Sequence, residues 1–324
     1  MNILTHVLIF LIASGVVWFF TGILIDSVDH VAKRFHRTGF TVAFFVLGFM
    51  TSISEISIMI NATLTGNPQV SAGNLVGASF VILLFLVPLL AVAGKGIKFS
   101  RSIPSNTLLL ALVVVLAPVL LLIDGQLRVR EGLLLLMLYI VLGYMIRRGQ
   151  VKSVDVVEEV GEDLLHKTKA SRQDLFKIII GGVLIFLAGH YLIQETIYFS
   201  KVLSVPSSMI GLLILSIGTN IPEIVIAIRA IGKKHADIAL GDYLGSSVAN
   251  TFIFGVLAIL NNGFVVERTE FVYTAVLMSI GLAALYFFAQ TKNFLSKKEG
   301  LGLLAIYAIF ILIQVIGFVR FASN

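Results

Sequence analysis

Glu223 stands in an apolar run from about residue 206 to residue 231, at the end of the octet Ser216-Ile-Gly-Thr-Asn-Ile-Pro-Glu223. A carboxylate in the middle of a hydrophobic span costs roughly 3 kcal/mol on insertion scales. Pro222, immediately before it, has no backbone N–H and clashes with the preceding turn, which frees carbonyl oxygens beside the carboxylate. Gly218 adds a second weak point to the same helix. Non-helical backbone at membrane depth persists only where protein or a water-filled cavity satisfies it. Freed carbonyls next to a carboxylate make a hard, oxygen-lined site for a cation.

The same pattern occurs a second time. A shift of 168 residues, without a gap, lays Thr51 on Thr219, Glu55 on Glu223, Gly73 on Gly241, Gly77 on Gly245 and Ser79 on Ser247. Matches of Ile with Ile between apolar helices carry little information, but Thr, Glu and two Gly at one offset mark an internal repeat. Each copy is a polar, interrupted helix followed by a glycine-rich one.

The surrounding chain is built to cross a membrane. Of its 324 residues 58% are hydrophobic and 13% charged, with a mean hydropathy of +1.00. Soluble domains are nearer half apolar and carry about twice that share of charge. Ten apolar runs of spanning length fall near 3–25, 39–64, 71–93, 105–123, 131–147, 175–195, 206–231, 238–260, 271–290 and 301–320. The connecting segments alternate in charge: one set holds 19 of the 24 Lys and Arg residues, the other only Arg128, Arg130, Lys201, Arg268 and Arg320. By the positive-inside rule both termini lie outside and residues 148–174 lie in the cytoplasm, in a plasma-membrane protein. The net charge of +6 is thereby explained by topology, not by nucleic acid. The N-terminus runs directly into its apolar span and reads as a retained helix. With no cysteine, disulfides, thiolate metal sites and Cys catalysis are excluded.

The expected fold is therefore all-α and polytopic, with ten transmembrane helices in two five-helix repeats. Residues 1–147 form the first, 175–324 the second, and the acidic segment 148–174 a solvated linker. An odd number of spans per half forces the two halves into opposite orientation. Inverted repeats with broken polar helices at the midplane mark secondary transporters.

The stretches Thr51-Ser-Ile-Ser-Glu55 and Gly218-Thr-Asn-Ile-Pro-Glu223 resemble the G-T-S-x-P-E motifs of the calcium/cation antiporter superfamily. Gly73-Asn-Leu-Val-Gly-Ala-Ser79 and Gly241-Asp-Tyr-Leu-Gly-Ser-Ser-Val-Ala-Asn250 resemble its G-N-x-x-G-S-N-x-x-N motifs, and the layout is similar to that of prokaryotic sodium/calcium exchangers. The resemblance implies Glu55 and Glu223 as the central cation ligands. It adds oxygens from Thr51, Ser52, Thr219 and Asn220, and from Ser246 and Asn250 of the second glycine-rich helix. The first half departs from the pattern, with Ala78 and Ile82 where the second has Ser246 and Asn250, and Ser54 where the second has Pro222.

Calcium takes six to eight oxygens at flexible geometry, and two bidentate carboxylates with two carbonyls approach that number. Asp242 shares a helix face with Ser246 and Asn250 and reads either as a pathway carboxylate or as a residue at the helix mouth facing water. Asn74, its first-half counterpart, reads as pathway-lining or as an interhelical hydrogen-bonder. Ser57 and Asn61 extend the polar face of the second span, and His190 reads as an interhelical hydrogen-bonder. The expected activity is exchange of calcium for sodium by alternating access at a two-glutamate site in the lipid bilayer, with no cofactor. Proton-driven exchange of calcium or another cation is the rival within the class. A non-transporting cation sensor or channel-like protein is the rival outside it. No Ser or His constellation suggests an enzyme.

Overall fold

The computed structural model describes residues 2–32, 52–94, 96–98, 105–149, 172–221, 223–224, 236–292 and 294–322. Its helices are α1 (Ile3–Ala32), α2 (Ile53–Leu64), α3 (Pro68–Val81), α4 (Val87–Ala93), α5 (Ser105–Leu121) and α6 (Val129–Gly149). They continue with α7 (Arg172–Leu203), α8 (Ser207–Ile210), α9 (Ser216–Thr219), α10 (Ala236–Leu260), α11 (Arg268–Lys292) and α12 (Lys297–Ala322). Eight helices among the described residues are long and apolar enough to cross a membrane. Two shorter apolar stretches, Ile53–Leu64 and Ser207–Thr219, carry the polar motifs. Each of these ten segments overlaps one of the ten expected runs, but residues 39–51 of the second and 225–231 of the seventh lie outside the described residues, as does most of the 148–174 segment.

Two helices of the chain are irregular. The ladder widens to a π-turn at Ile82–Leu86, after α3 and just ahead of Pro88, and again at Gly211–Leu215, within the second polar stretch. In the second case Ser216 Oγ donates to the Leu212 carbonyl at 2.6 Å, so a side chain enters the helix ladder there. Pro118, inside α5, leaves the Val114 carbonyl without its helical donor. Thr251 of α10 supplies that donor from its hydroxyl at 3.0 Å.

The two halves interlock. Helix α3 packs against the split helix Ser207–Thr219, and α2 packs against α7, α3 and α10. The α3 crossing is close enough to need glycine. A Cβ on Gly73 would meet the Ser208 carbonyl, and one on Gly77 would meet the Leu212 carbonyl and lie 2.7 Å from Ser216 Oγ. Gly211 returns the contact, against the Val70 carbonyl. Small residues at such crossings let helices gain dispersion contacts where lipid supplies no hydrophobic drive.

Helix α1 lies along α7 and turns Leu8, Leu11, Ile12 and Phe19 outward. Its inner face buries Phe10, Ala13 and Val17, while His6 Nδ1 lies 2.7 Å from Glu195 Oε2 and the His6 ring stacks on Tyr198. At the head of the split helix, Ser208 Oγ donates to Glu270 Oε2 of α11 at 2.8 Å. Four two-residue strands join connectors of different halves: β1 (Ile97–Lys98) pairs with β4 (Phe294–Leu295), and β2 (Gln126–Leu127) with β3 (Phe264–Val265), both antiparallel. Gly96, at φ 106°, passes over the Phe294 ring to start the first pair.

Gly73→Val should separate α3 from the split helix. Overpacking of this kind costs about 1–3 kcal/mol. We expect a lower melting temperature for the detergent-solubilised variant, whereas Gly22→Ala, on a glycine with no neighbour within 4 Å, should melt like the parent.

Candidate ion-binding site

The first half contributes the start of α2. Ser52 is its N-cap by position but makes no side-chain cap bond; its Oγ lies instead 3.5 Å from Ser246 Oγ of α10. Three residues on, Glu55 is buried, and its Oε2 accepts a hydrogen bond from Ser54 Oγ at 2.7 Å. The Ile56 N–H to Ser52 carbonyl bond, 2.9 Å, closes the first turn and fixes both side chains on one end of the helix.

The second half contributes the end of the split helix. Thr219 Oγ1 donates to Asn74 Oδ1 of α3 at 3.2 Å. Asn220 Nδ2 donates to the Ser216 carbonyl at 2.6 Å. Its Oδ1 is buried and accepts no hydrogen bond. Glu223 is 1% exposed, and its main-chain carbonyl accepts from the Tyr243 hydroxyl of α10 at 3.0 Å. Asn250 of α10 donates from Nδ2 to Ser79 Oγ of α3 at 3.3 Å, and its Oδ1, like that of Asn220, is buried without a donor.

Contacts between the halves pair Ser52 with Ser246 and Thr219 with Asn74, and hold Asn250 to Ser79 of α3. Thr51 and Pro222 lie outside the described residues. For Asp242 the structure describes the backbone, within α10, and not the side chain. Asn74 is an interhelical hydrogen-bonder, and Ala78 and Ile82 are fully buried apolar positions.

Ser57 and Asn61 do not face this cluster. Ser57 Oγ donates to the Ile185 carbonyl and Asn61 Nδ2 to the Phe186 carbonyl, each at 3.0 Å, so they fasten α2 to α7. Gly189 makes room for them, since a Cβ there would strike Ser57 Oγ. His190 does not bridge helices as expected: its Nε2 pairs with Gln194 Nε2, one turn along the same exposed face.

Ser54 and Tyr243 were not legible as site residues. A serine beside a glutamate has many uses, and nothing in spacing shows that a tyrosine seven residues before Asn250 reaches back to the Glu223 carbonyl.

Chemically, the cluster is a buried set of oxygens that is short of donors. Buried polar atoms are nearly always hydrogen-bonded, and an amide oxygen left without a donor costs about 1–3 kcal/mol. Open amide acceptors and buried carboxylates suit a ligand that brings positive charge and no lone pairs. Hard oxygens without nitrogen or sulfur favour Group 1 and 2 cations over softer metals. Among the described residues no group of three or more His, Cys, Asp or Glu gathers as a resident metal centre.

Residues 5–146 and 175–316 match the model of the sodium/calcium exchanger protein family. The chain belongs to that family. It is a membrane protein of the antiporter kind. Sodium/calcium exchanger MaX1 of Methanosarcina acetivorans is 29% identical over 142 residues, which is 44% of this chain and 40% of that protein's length. The fold matches that of the sodium-calcium exchanger NCX_Mj with a TM-score of 0.65 at 20% identity, over 96% of this chain and 99% of that one. It matches the H+/Ca2+ exchanger CAX with a TM-score of 0.74 at 13% identity, over 100% of this chain and 86% of that one. At these identities the likeness to the two structures is one of fold.

Tyr243→Phe removes the donor on the Glu223 carbonyl. A hydrogen bond of this kind contributes about 1 kcal/mol net, so the variant should fold with a slightly lowered melting temperature. His190→Ala, which breaks only a contact along one exposed helix face, should melt like the parent.

Proposed function

We propose that this chain exchanges calcium for sodium across the membrane by alternating access, with Glu55 and Glu223 as the charged ligands of one shared site. The observation that carries this reading is the buried oxygen cluster. Two buried carboxylates stand at corresponding positions of an internal repeat, on segments that also carry buried hydroxyl and amide oxygens, and the Asn220 and Asn250 amide oxygens accept no hydrogen bond. In this reading Thr51, Ser52, Thr219, Asn220, Ser246 and Asn250 complete the shell, and Asp242 lines the approach.

Carboxylates sharing a small site repel one another when it is empty. The site must be filled by one divalent cation, by monovalent cations or by protons. Competition for the same negative charge couples the two fluxes, because an uncompensated pair is costly to carry through a low-dielectric interior. Six to eight oxygens at adaptable distances suit calcium better than magnesium, which holds to octahedral geometry and keeps its waters.

The ten-helix, inverted-repeat architecture belongs to the same reading, with halves at 1–147 and 175–324, a cytoplasmic linker at 148–174 and both termini outside the plasma membrane. Family matches in two blocks on either side of that linker support it. So do the short strands. β2 and β4 stand 168 residues apart and β1 and β3 stand 167 apart. The β1–β4 and β2–β3 pairs therefore exchange under a two-fold relation between halves. Two five-span repeats with this relation place their broken helices together at the midplane, where transporter sites form.

Proton-driven exchange of calcium or another cation is the second reading. The observation that favours it is the loss of first-half oxygens, since Ala78 and Ile82 are buried where the second half has Ser246 and Asn250. Fewer oxygens leave less to hold several sodium ions at once.

Purified protein in sealed vesicles, loaded with sodium or with acid in separate experiments, decides between them. We expect an outward sodium gradient to drive calcium uptake, and Glu223→Gln and Glu55→Gln each to lower the rate by at least about a hundredfold, since each removes a ligand charge worth several kcal/mol in a dry site. Uptake driven by the pH gradient alone assigns the second reading. Uptake with neither gradient, or full activity in Glu223→Gln, ends the antiport proposal.

A further inference from the structure

Several helical hydroxyls of this protein satisfy themselves locally. Ser79, Thr196, Ser216, Thr274 and the part-buried Ser279 each donate to the main-chain carbonyl four residues back, while Ser57, Ser208 and Thr251 donate to other helices. Such back-bonding is how a serine or threonine satisfies itself inside a helix without a tertiary partner. Ser54 does something else. It is 1% exposed, lies in the first turn of α2, and donates its hydroxyl to Glu55 Oε2 at 2.7 Å. The corresponding residue of the second half, 168 positions on, is Pro222, which has no hydroxyl to offer Glu223.

Glu55 has a resident donor built into the adjacent residue, within a segment whose geometry is fixed by helix. A charge-assisted O–H···O⁻ bond stabilises the cation-free carboxylate, and a cation must displace that hydrogen from its lone pair or share the same negative charge with it. The hydroxyl hydrogen is free to rotate, so displacement needs no movement of the backbone. We propose that Ser54 is an internal competitor for the transported cation: its hydroxyl holds the empty Glu55 carboxylate and so weakens cation binding on the first-half side of the site. Ser54 acts through Glu55 and is a positioning residue, not itself a ligand. The inference rests on the reading of Glu55 as a cation ligand.

The physical consequence is directional. A resident donor stabilises the empty site and lowers affinity, which speeds release of a divalent cation that two carboxylates would otherwise hold tightly. A charge-assisted hydrogen bond of this kind corresponds to about a factor of ten in an equilibrium constant.

The test compares Ser54→Ala, Ser54→Thr and Glu55→Gln in the full-length protein. Two readouts are used: gradient-driven calcium uptake in vesicles, and calcium-dependent thermal stabilisation in detergent. With Ser54→Ala we expect the calcium concentration for half-maximal uptake to fall about tenfold, together with a lower maximal rate, and the stabilisation midpoint to fall in parallel. Ser54→Thr keeps the hydroxyl and should stay within about twofold of the parent in both. Ser54→Cys, whose thiol is a weak donor, gives the same comparison where the alanine variant is not recovered folded. An unchanged midpoint in both the Ala and Cys variants overturns the proposal. A raised midpoint also overturns it, and makes Ser54 a ligand instead. If the parent exchanges calcium and Glu55→Gln abolishes it while Ser54→Ala matches the parent, Ser54 alone has been misread. If calcium neither stabilises nor enters with the parent protein, the site reading has failed and this inference falls with it.

Discussion

Polar atoms placed in hydrocarbon must find their partners inside the protein, and that one constraint orders most of this structure. No water is at hand to complete a broken helix, so each interruption is answered by a specific side chain. The carbonyl freed by Pro118 is taken by Thr251, the wide turn at Gly211–Leu215 is braced by Ser216, and the end of the split helix by the Asn220 amide on the Ser216 carbonyl. The polar face of α2 is fastened to α7 carbonyls by Ser57 and Asn61 in the same way. The amide oxygens of Asn220 and Asn250 are buried acceptors with no donor, and buried hydroxyls such as those of Ser14, Thr21, Ser71 and Ser247 are also left without a partner.

Close helix approach is the second condition, and it depends on glycine. Gly73 and Gly77 of α3 abut carbonyls of the split helix, and Gly211 of the split helix abuts a carbonyl of α3. The contacts are main chain to main chain, so no repacking of side chains could relieve an added methyl group. Their effect reaches the polar segments directly, because the same crossing brings Asn74 to Thr219, while Ser79 of the same helix meets Asn250 of α10. A first-half helix thereby supports second-half ligands, while Ser52 of α2 approaches Ser246 of α10 from the other side. Exchange of partners between halves couples the two sides of the site mechanically.

The halves are related but not equal. Where the second carries Pro222, Ser246 and Asn250, the first carries Ser54, Ala78 and Ile82. The structure shows what those differences do: two positions become apolar packing, and the third places a hydroxyl on the Glu55 carboxyl. The Glu55 carboxyl thereby has a donor in the residue before it, a position that in the second half is proline.

Composition and charge alternation determined that this chain crosses a membrane many times, because hydrocarbon admits long apolar helices and little else. The repeat offset determined that two glutamates, each costly in an apolar run, occupy matching positions of the two halves. Those properties reside in local sequence and in periodicity, so they are legible before folding. The partners of each polar atom are not, because they join residues as distant as Ser52 and Ser246 or Asn74 and Thr219. Tertiary structure alone decided that Asn74 bridges helices, that Ser57 and Asn61 hold α7 and face away from the ion cluster, that His190 pairs along its own helix, and that Ser54 donates to Glu55. The physical reason is the same for each: a hydroxyl or amide has several acceptors within reach of its rotamers, and only the packed neighbours select one.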